Sequence, residues 1–367
     1  MIRKFICAAT ALAAVCIATA QDQRWKAQYI YDKEKSTLAI NDIQFPSPQR
    51  GVAVGVIVEG KHETPVALIT SDGGEHWQQT TLQETPVSLF FLNENLGWMV
   101  TTKGLWQTTE AGKSWKKAPK LPSGISRVFF NDEQRGFAVG LKKQALETED
   151  GGQHWKEIPA ASEQPGEKDY SAFTWVAFAT PQFGLIMGWN QPPERNAPPL
   201  PAWLDPERTV SHRDPPHLSY TMVTHDGGKT WRSDAASLFG EVTRVRFGPK
   251  GMGMGLVEYG PSFRFASEAY KIDWTTGKSQ TMYRDRKFSI SDIWLDPDGT
   301  AYLAGSISQG NLRDLVPGKV QVLKSRDYST WQEMDVDYRA IAGTTILAGA
   351  GGNLWMATDN GMILKLQ

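Results

Sequence analysis

Thr70-Ser71-Asp72-Gly73-Gly74-Glu75-His76-Trp77 decides how this chain is read, because the sequence returns to it four more times. The further copies are TTEAGKSW at 108–115, TEDGGQHW at 148–155, THDGGKTW at 224–231 and SRDYSTW at 325–331. The shared form is Ser/Thr-x-Asp-x-Gly-x-x-Trp; Glu110 stands at the Asp position of the second copy, and the last is one residue short. This is the chemistry of a turn. A carboxylate two residues after a hydroxyl accepts backbone N–H groups across a tight loop. The Gly permits a positive φ, and the Trp leads the next strand and folds its ring back under the loop. A motif present five times cannot occupy one active site five times. Asp72, Glu110, Asp150, Asp226 and Asp327, with Trp77, Trp115, Trp155, Trp231 and Trp331, are therefore expected to staple hairpins rather than to catalyse.

Working outward, each copy closes a larger unit of about 40–50 residues, the spacing of a four-stranded propeller blade. Units open at Asp42-Ile43-Gln44-Phe45, Ser88-Leu89-Phe90-Phe91, Arg127-Val128-Phe129-Phe130 and Trp175-Val176-Ala177-Phe178. Two more open at Arg244-Val245-Arg246-Phe247, whose last hairpin (272–278) has lost the motif, and at Asp292-Ile293-Trp294-Leu295. A seventh is expected to open at Arg339-Ala340-Ile341-Ala342 and to end with residues 362–366, one strand short. Residues 24–31 (RWKAQYIY) belong to no unit, and Trp25 matches the Trp that leads each fourth strand. The fold class expected is therefore all-β: a seven-bladed β-propeller of four-stranded antiparallel blades, with the N-terminal strand completing the C-terminal blade. Closure removes exposed sheet edges; an open solenoid would leave them bare and strand Trp25.

The Asp-boxes, with Phe-x-(Asp/Asn)-x-x-x-Gly-x-x-Val-Gly patterns between them (residues 130–140, and residues 45–55 with Ser47 at the Asp/Asn place), resemble the photosystem II stability/assembly factor family of propellers. The resemblance spans nearly all of residues 21–367. It implies a non-enzymatic lumenal or periplasmic scaffold that binds protein and helps membrane complexes assemble. The same boxes occur in sialidases and propeller endoglucanases, so a glycan-active or glycan-binding propeller is the alternative. Sialidases carry an Arg-Ile-Pro strand before the first box, and no Arg-Ile-Pro occurs here. Tyr270 and Glu268, at i and i+2, share a strand face and are the nearest approach to a Tyr–Glu nucleophile pair, read as coincidence. Adjacent Glu258 and Tyr259 point to opposite faces.

A partner site is sought where the units differ. The residues that open the innermost strands form a column, Asp42, Ser88, Arg127, Trp175, Arg244, Asp292 and Arg339, expected to ring the channel mouth and grip carboxylates of a protein partner through its arginines. The loop between second and third strands of the fourth unit (190–218) holds eight of the chain's 21 prolines and Trp203, and is expected to be a docking arm. His212 and His217 lie in it near Asp205, Glu207 and Asp214, at spacings that match no metal motif. No phosphate-binding Gly loop opens a helix, so no nucleotide, metal or other cofactor is expected.

Bulk properties agree. The 367 residues carry 39 basic and 40 acidic side chains, a balance that offers no global attraction to nucleic acid or an anionic membrane. Residues 1–20 read as a cleaved signal peptide: Arg3 and Lys4, an apolar run from Phe5 to Ile17, then Ala18-Thr19-Ala20. The run is short for a membrane span. Export to the periplasm or the exterior is expected, with residues 21–367 as one domain. Both cysteines, Cys7 and Cys16, lie in the leader, so the mature chain has neither disulfide nor thiolate chemistry.

Overall fold

Seven antiparallel sheets stand around one axis in a computed structural model that describes residues 23–119, 121–192, 216–260, 263, 265–307 and 317–367. Residues 1–20, Trp203, His212 and most of the 190–218 insertion lie outside the described residues. Blade one is representative: Ser36–Gln44, Gly51–Glu59, His62–Thr70 and Gln78–Thr81 pair in sequence order from the axis outward. The inner strands of blades two to six are Pro86–Phe91, Ile125–Phe130, Ser171–Phe178, Gly240–Phe247 and Phe288–Leu295. The core lies between neighbouring sheets. Blade seven packs on blade one through Phe45 stacked on Trp355 at 3.6 Å, and blade two packs on blade three through Trp98 on Phe130 at 3.7 Å.

The ring closes as expected. Arg24–Ile30 pairs antiparallel with Met362–Leu366, from Trp25 opposite Leu366 to Ile30 opposite Met362, and Trp25 is fully buried. The start of blade seven is corrected. Its inner strand is Thr345–Ala350, not 339–342. Ile341–Ala342 pairs instead with Gly318 and Lys319 of blade six, and Arg339 sits in the turn before it, bonded to Asp337. Both segments are short apolar alternations. The second is selected because its Leu347 is buried and gives its N–H to Asp292 of blade six.

The Asp-boxes are the hairpin staples that their chemistry demands. In blade one Asp72 accepts from the Thr70 hydroxyl (2.8 Å) and the His76 N–H (3.0 Å), while Gly74 donates its N–H to Thr70 Oγ1 (2.9 Å). Gly74 has φ +92°, and a Cβ there would meet Trp355 at 3.1 Å. Asp150 and Asp226 repeat the bonds, and in the short copy Asp327 accepts from the N–H groups of Ser329 and Thr330. Glu110, one methylene longer, reaches Ser114 Oγ, yet Thr108 still clasps Gly112.

Candidate functional site: the central channel

Six of the seven inner strands carry a one-residue bulge just before the column position, between residues 40/42, 86/88, 125/127, 173/175, 242/244 and 290/292. A bulge bends and over-twists its strand, and here it turns the following side chain toward the next blade. Asp42 accepts the N–H of Ile43 (2.8 Å) and that of Leu89 in blade two (2.9 Å). Asp292 does the same one blade before closure, with Ile293 and Leu347 at 2.8 Å each. Ser88 donates to the Ser126 carbonyl of blade three, and Trp175 donates from Nε1 to the Val245 carbonyl of blade five.

The column is therefore first a set of inter-blade stitches. Asp42, Asp292 and Trp175 are 5%, 0% and 5% exposed, which corrects their expected place at an open, solvated mouth. Buried carboxylates must be hydrogen-bonded, and each oxygen of these two accepts one backbone N–H, from two blades. Arg339 is also corrected. The seventh position, counted from the register of Leu347, is Ile346, and Arg339 lies on the connection into blade seven with its guanidinium on Asp337 at 2.7 and 3.0 Å.

Arg127 and Arg244 do converge, and Arg246 joins them. All three guanidinium groups lie over the face of Trp175, at 4.2, 5.2 and 5.7 Å from the ring centroid, and Arg246 also covers Trp294 at 5.0 Å. Arg246 was missed in the column, although its spacing of two from Arg244 places it on the same strand face. Asp292 offsets two of the charges at 3.6 Å from Arg244 and 3.8 Å from Arg246. Arg244 donates to the Thr243 carbonyl and Arg246 to the Ile293 carbonyl, but Arg127 donates no hydrogen bond among the described residues. Burial, with Arg244 and Arg246 adding to it and Asp42 opposing, brings Arg127 down to about 10, so it stays charged at neutral pH. Three cations thus face two aspartates already committed to backbone bonds.

Above this cluster the channel widens into a cavity of about 600 Å³ bordered by Asn41, Pro86, Arg244, Glu258, Thr345 and Ile346. Glu258 is raised by burial despite the Thr243 hydroxyl bonded to it, and Glu241, opposite it in register, is raised by burial and by Glu258. Tyr259 turns away from Glu258, as strand alternation requires. Its hydroxyl reaches Glu268 on the adjacent strand at 2.8 Å, and Tyr270 reaches the same oxygen at 2.8 Å. The other oxygen takes the Thr281 hydroxyl at 2.8 Å and faces Arg284 at 3.6 Å. Three hydroxyl donors on its two oxygens, with Arg284 beside them, engage Glu268 in structural bonds. Of the two loop histidines, His217 opens a strand of blade four with Nδ1 at 4.0 Å from Glu241. Asp72, Glu75 and His76 bring ligand-type atoms within 4.8 Å of one another, on the exposed side of an Asp-box where Asp72 is occupied by the turn.

Fold and channel together define a closed seven-bladed Asp-box β-propeller with an arginine–tryptophan cluster in its axis. Among known proteins, the chain is 23% identical over 260 residues to the photosystem II assembly lipoprotein Ycf48 of Synechococcus sp. (strain CC9902), covering 64% of this chain and 72% of that one. A solved structure of Ycf48 bound to a D1 peptide superposes with a TM-score of 0.58 at 18% identity, over 93% of this chain and 96% of that one. The GH74 xyloglucanase of Xanthomonas campestris superposes with a TM-score of 0.59 at 11% identity, over 93% of this chain but 53% of its own. No family model matches the chain. The resemblance to the photosystem II assembly-factor propellers, first carried by the Asp-boxes, is thus met again in both sequence and fold.

Proposed function

We propose that the chain is an exported, non-catalytic propeller scaffold that binds a protein partner through the axial arginine cluster and assists assembly or stability of an envelope or membrane complex. The observation that carries the binding site is Arg127. Its guanidinium is held on Trp175, keeps its charge, and has no hydrogen-bond partner among the described residues, while each oxygen of the neighbouring aspartates already accepts a backbone N–H. Such a group takes a carboxylate with bidentate geometry, so the partner segment is an acidic or C-terminal stretch of peptide. The similarity to a protein whose structure holds a bound peptide supports the reading. Export rests on the sequence of residues 1–20; no helix among the described residues is long and apolar enough to cross a membrane.

Affinity capture from the native envelope with the mature protein, followed by mass spectrometry, identifies the partner. Its binding should weaken at least about tenfold in the Arg127→Ala/Arg244→Ala variant, since charge-assisted hydrogen bonds contribute roughly 1.5–3 kcal/mol each. Arg339→Ala, outside the cluster, should leave binding unchanged. Equal binding by all three proteins, or release of sugar from xyloglucan or a fluorogenic sialoside, overturns the proposal.

A further inference from the structure

Blades four and five leave a cleft between their sheets. At one position of the second strand, blades two, three and seven carry Trp98, Phe137 and Trp355, each stacked on a phenylalanine of the following blade, whereas blades one and five carry Val52 and Met254. In blade four that position is Leu185, opposite Ala177. Phe183 of blade four reaches Trp274 and Phe247 of blade five at 5.0 and 5.8 Å, yet a cleft of about 630 Å³ remains between the two sheets, in the size range of ligand pockets. Its walls are mostly apolar, among them Leu185, Met187, Val223, Val242, Val257 and Trp274.

The cleft ends in an aromatic collar. Tyr259 stacks on Phe263 at 4.5 Å, Phe263 meets Phe239 at 5.8 Å, and Phe239 is 50% exposed. Beside the collar, Arg284 lies over Phe265 at 5.2 Å with its side chain 56% exposed, the one cation among the described lining residues. Arg284 stands 3.6 Å from Glu268, beyond hydrogen-bond length, so its donors remain available. Glu268 already accepts from the hydroxyls of Tyr259, Tyr270 and Thr281 and is faced by Arg284.

From this we infer that the blade four–five cleft is a binding site for a single-chain amphiphile with an anionic head, its hydrocarbon tail between the sheets and its head at Arg284. Shape and polarity select the occupant. Facing sheets stand about 10 Å apart, too close to admit a helix of about 10–12 Å diameter. An extended peptide would bring unpaired N–H and C=O groups against apolar walls, which is costly; a hydrocarbon chain carries none. The site is separate from the channel and does not depend on the proposed partner binding.

The test uses the mature protein and saturated fatty acids below their micellar concentrations. Bound 12-bromododecanoate should quench Trp274 fluorescence, and Trp274→Phe should remove that quenching. Calorimetry should show affinity rising from octanoate to decanoate to dodecanoate by roughly tenfold per two methylenes, the increment expected for buried CH₂ groups. Arg284→Gln should weaken dodecanoate about tenfold and leave 1-dodecanol unchanged. Leu185→Trp, which copies the ring of blades two and seven, should abolish binding while keeping the thermal transition at or above the parent's. If that variant does not fold, Val223→Phe supplies the same block from the third strand. Absence of quenching, no dependence on chain length, or full binding by folded Leu185→Trp and Val223→Phe proteins overturns the inference. So does binding that appears only when residues 193–215 are deleted, which assigns the cleft to the chain itself, or capture of a Trp-bearing peptide by protein that binds no fatty acid.

Discussion

Asp292 has no solvent exposure, yet it stands 3.6–3.8 Å from two arginines and accepts N–H groups from two blades. Removing the carboxylate leaves two buried donors unpaired and strips the channel of part of its countercharge. Breaking a buried pair of this kind costs about 3–5 kcal/mol. Asp292→Ala should lower the urea-unfolding free energy by that amount, and a loss under about 1 kcal/mol would show that water replaces the stitch. The Asp-box carboxylates behave oppositely, being exposed and strongly bonded. Asp72 is held down to about 2, first by the His76 N–H, and Asp226 to about 2, first by the Thr230 hydroxyl. A carboxylate whose folded pKa lies below its unfolded value of about 3.9 contributes stability above that value and loses it as pH falls through the folded pKa. The melting temperature should therefore decline between about pH 4 and pH 2, less steeply in an Asp72→Asn/Asp226→Asn variant. Parallel acid curves for variant and parent would refute this. Burial raises Asp42 and Glu258, so those groups take up protons on folding and act in the opposite sense at higher pH.

At the scale of the element, the second Asp-box shows what the turn requires. Gly73, Gly151 and Gly227 adopt φ of +72°, +72° and +75° at a position where blade two has Ala111, at φ +56°. A Cβ in the left-handed region costs about 1–2 kcal/mol, part of which a glycine returns as unfolded-chain entropy. Ala111→Gly should stabilise the protein by about 0.5–1 kcal/mol in urea unfolding, and a destabilisation would mean that Ala111's buried methyl matters more than its backbone. The boxes were legible in sequence because a turn is local: hydroxyl, carboxylate, Gly and Trp all act within eight residues. The start of blade seven was not, because 339–342 and Thr345–Ala350 have the same apolar alternation and only the Asp292–Leu347 bond across a blade boundary separates them. Tyr259's partner escaped for the same reason, since Glu268 comes from the neighbouring strand, opposite Val257.

Across the whole molecule, one antiparallel pairing holds the ring shut. Trp25 is buried in a cluster that includes Tyr302, Met334, Leu347 and Leu364, drawn from blades six and seven. Trp25→Ala should cost about 3–5 kcal/mol, and removal of residues 21–31 should replace one cooperative transition with a broadened one, because the edge strand Met362–Leu366 loses its partner. Calorimetry checks both; a single sharp transition at the parent temperature after the deletion would show that the other six blades hold the ring without it. Electrostatics is also a property of the whole. Arg127, Arg244 and Arg246 come from blades three and five, and Trp175 gathers them from blade four.

The repeat, the all-β class, the blade count and the closing strand can be read from the amino acids alone, because each follows from local turn chemistry and a period that one chain carries along its length. The repeat also names Arg127, Arg244 and Trp175 as neighbours by their shared place in it. What those places do depends on how the blades meet in three dimensions. The bulges turn Asp42 and Asp292 inward to bond the next blade, Ile346 takes the seventh seat in place of Arg339, and Arg246 enters the cluster. The cleft between blades four and five belongs to that second category as well. A void is the difference between the side-chain volumes of two facing sheets and the space between them, and no single stretch of sequence contains both.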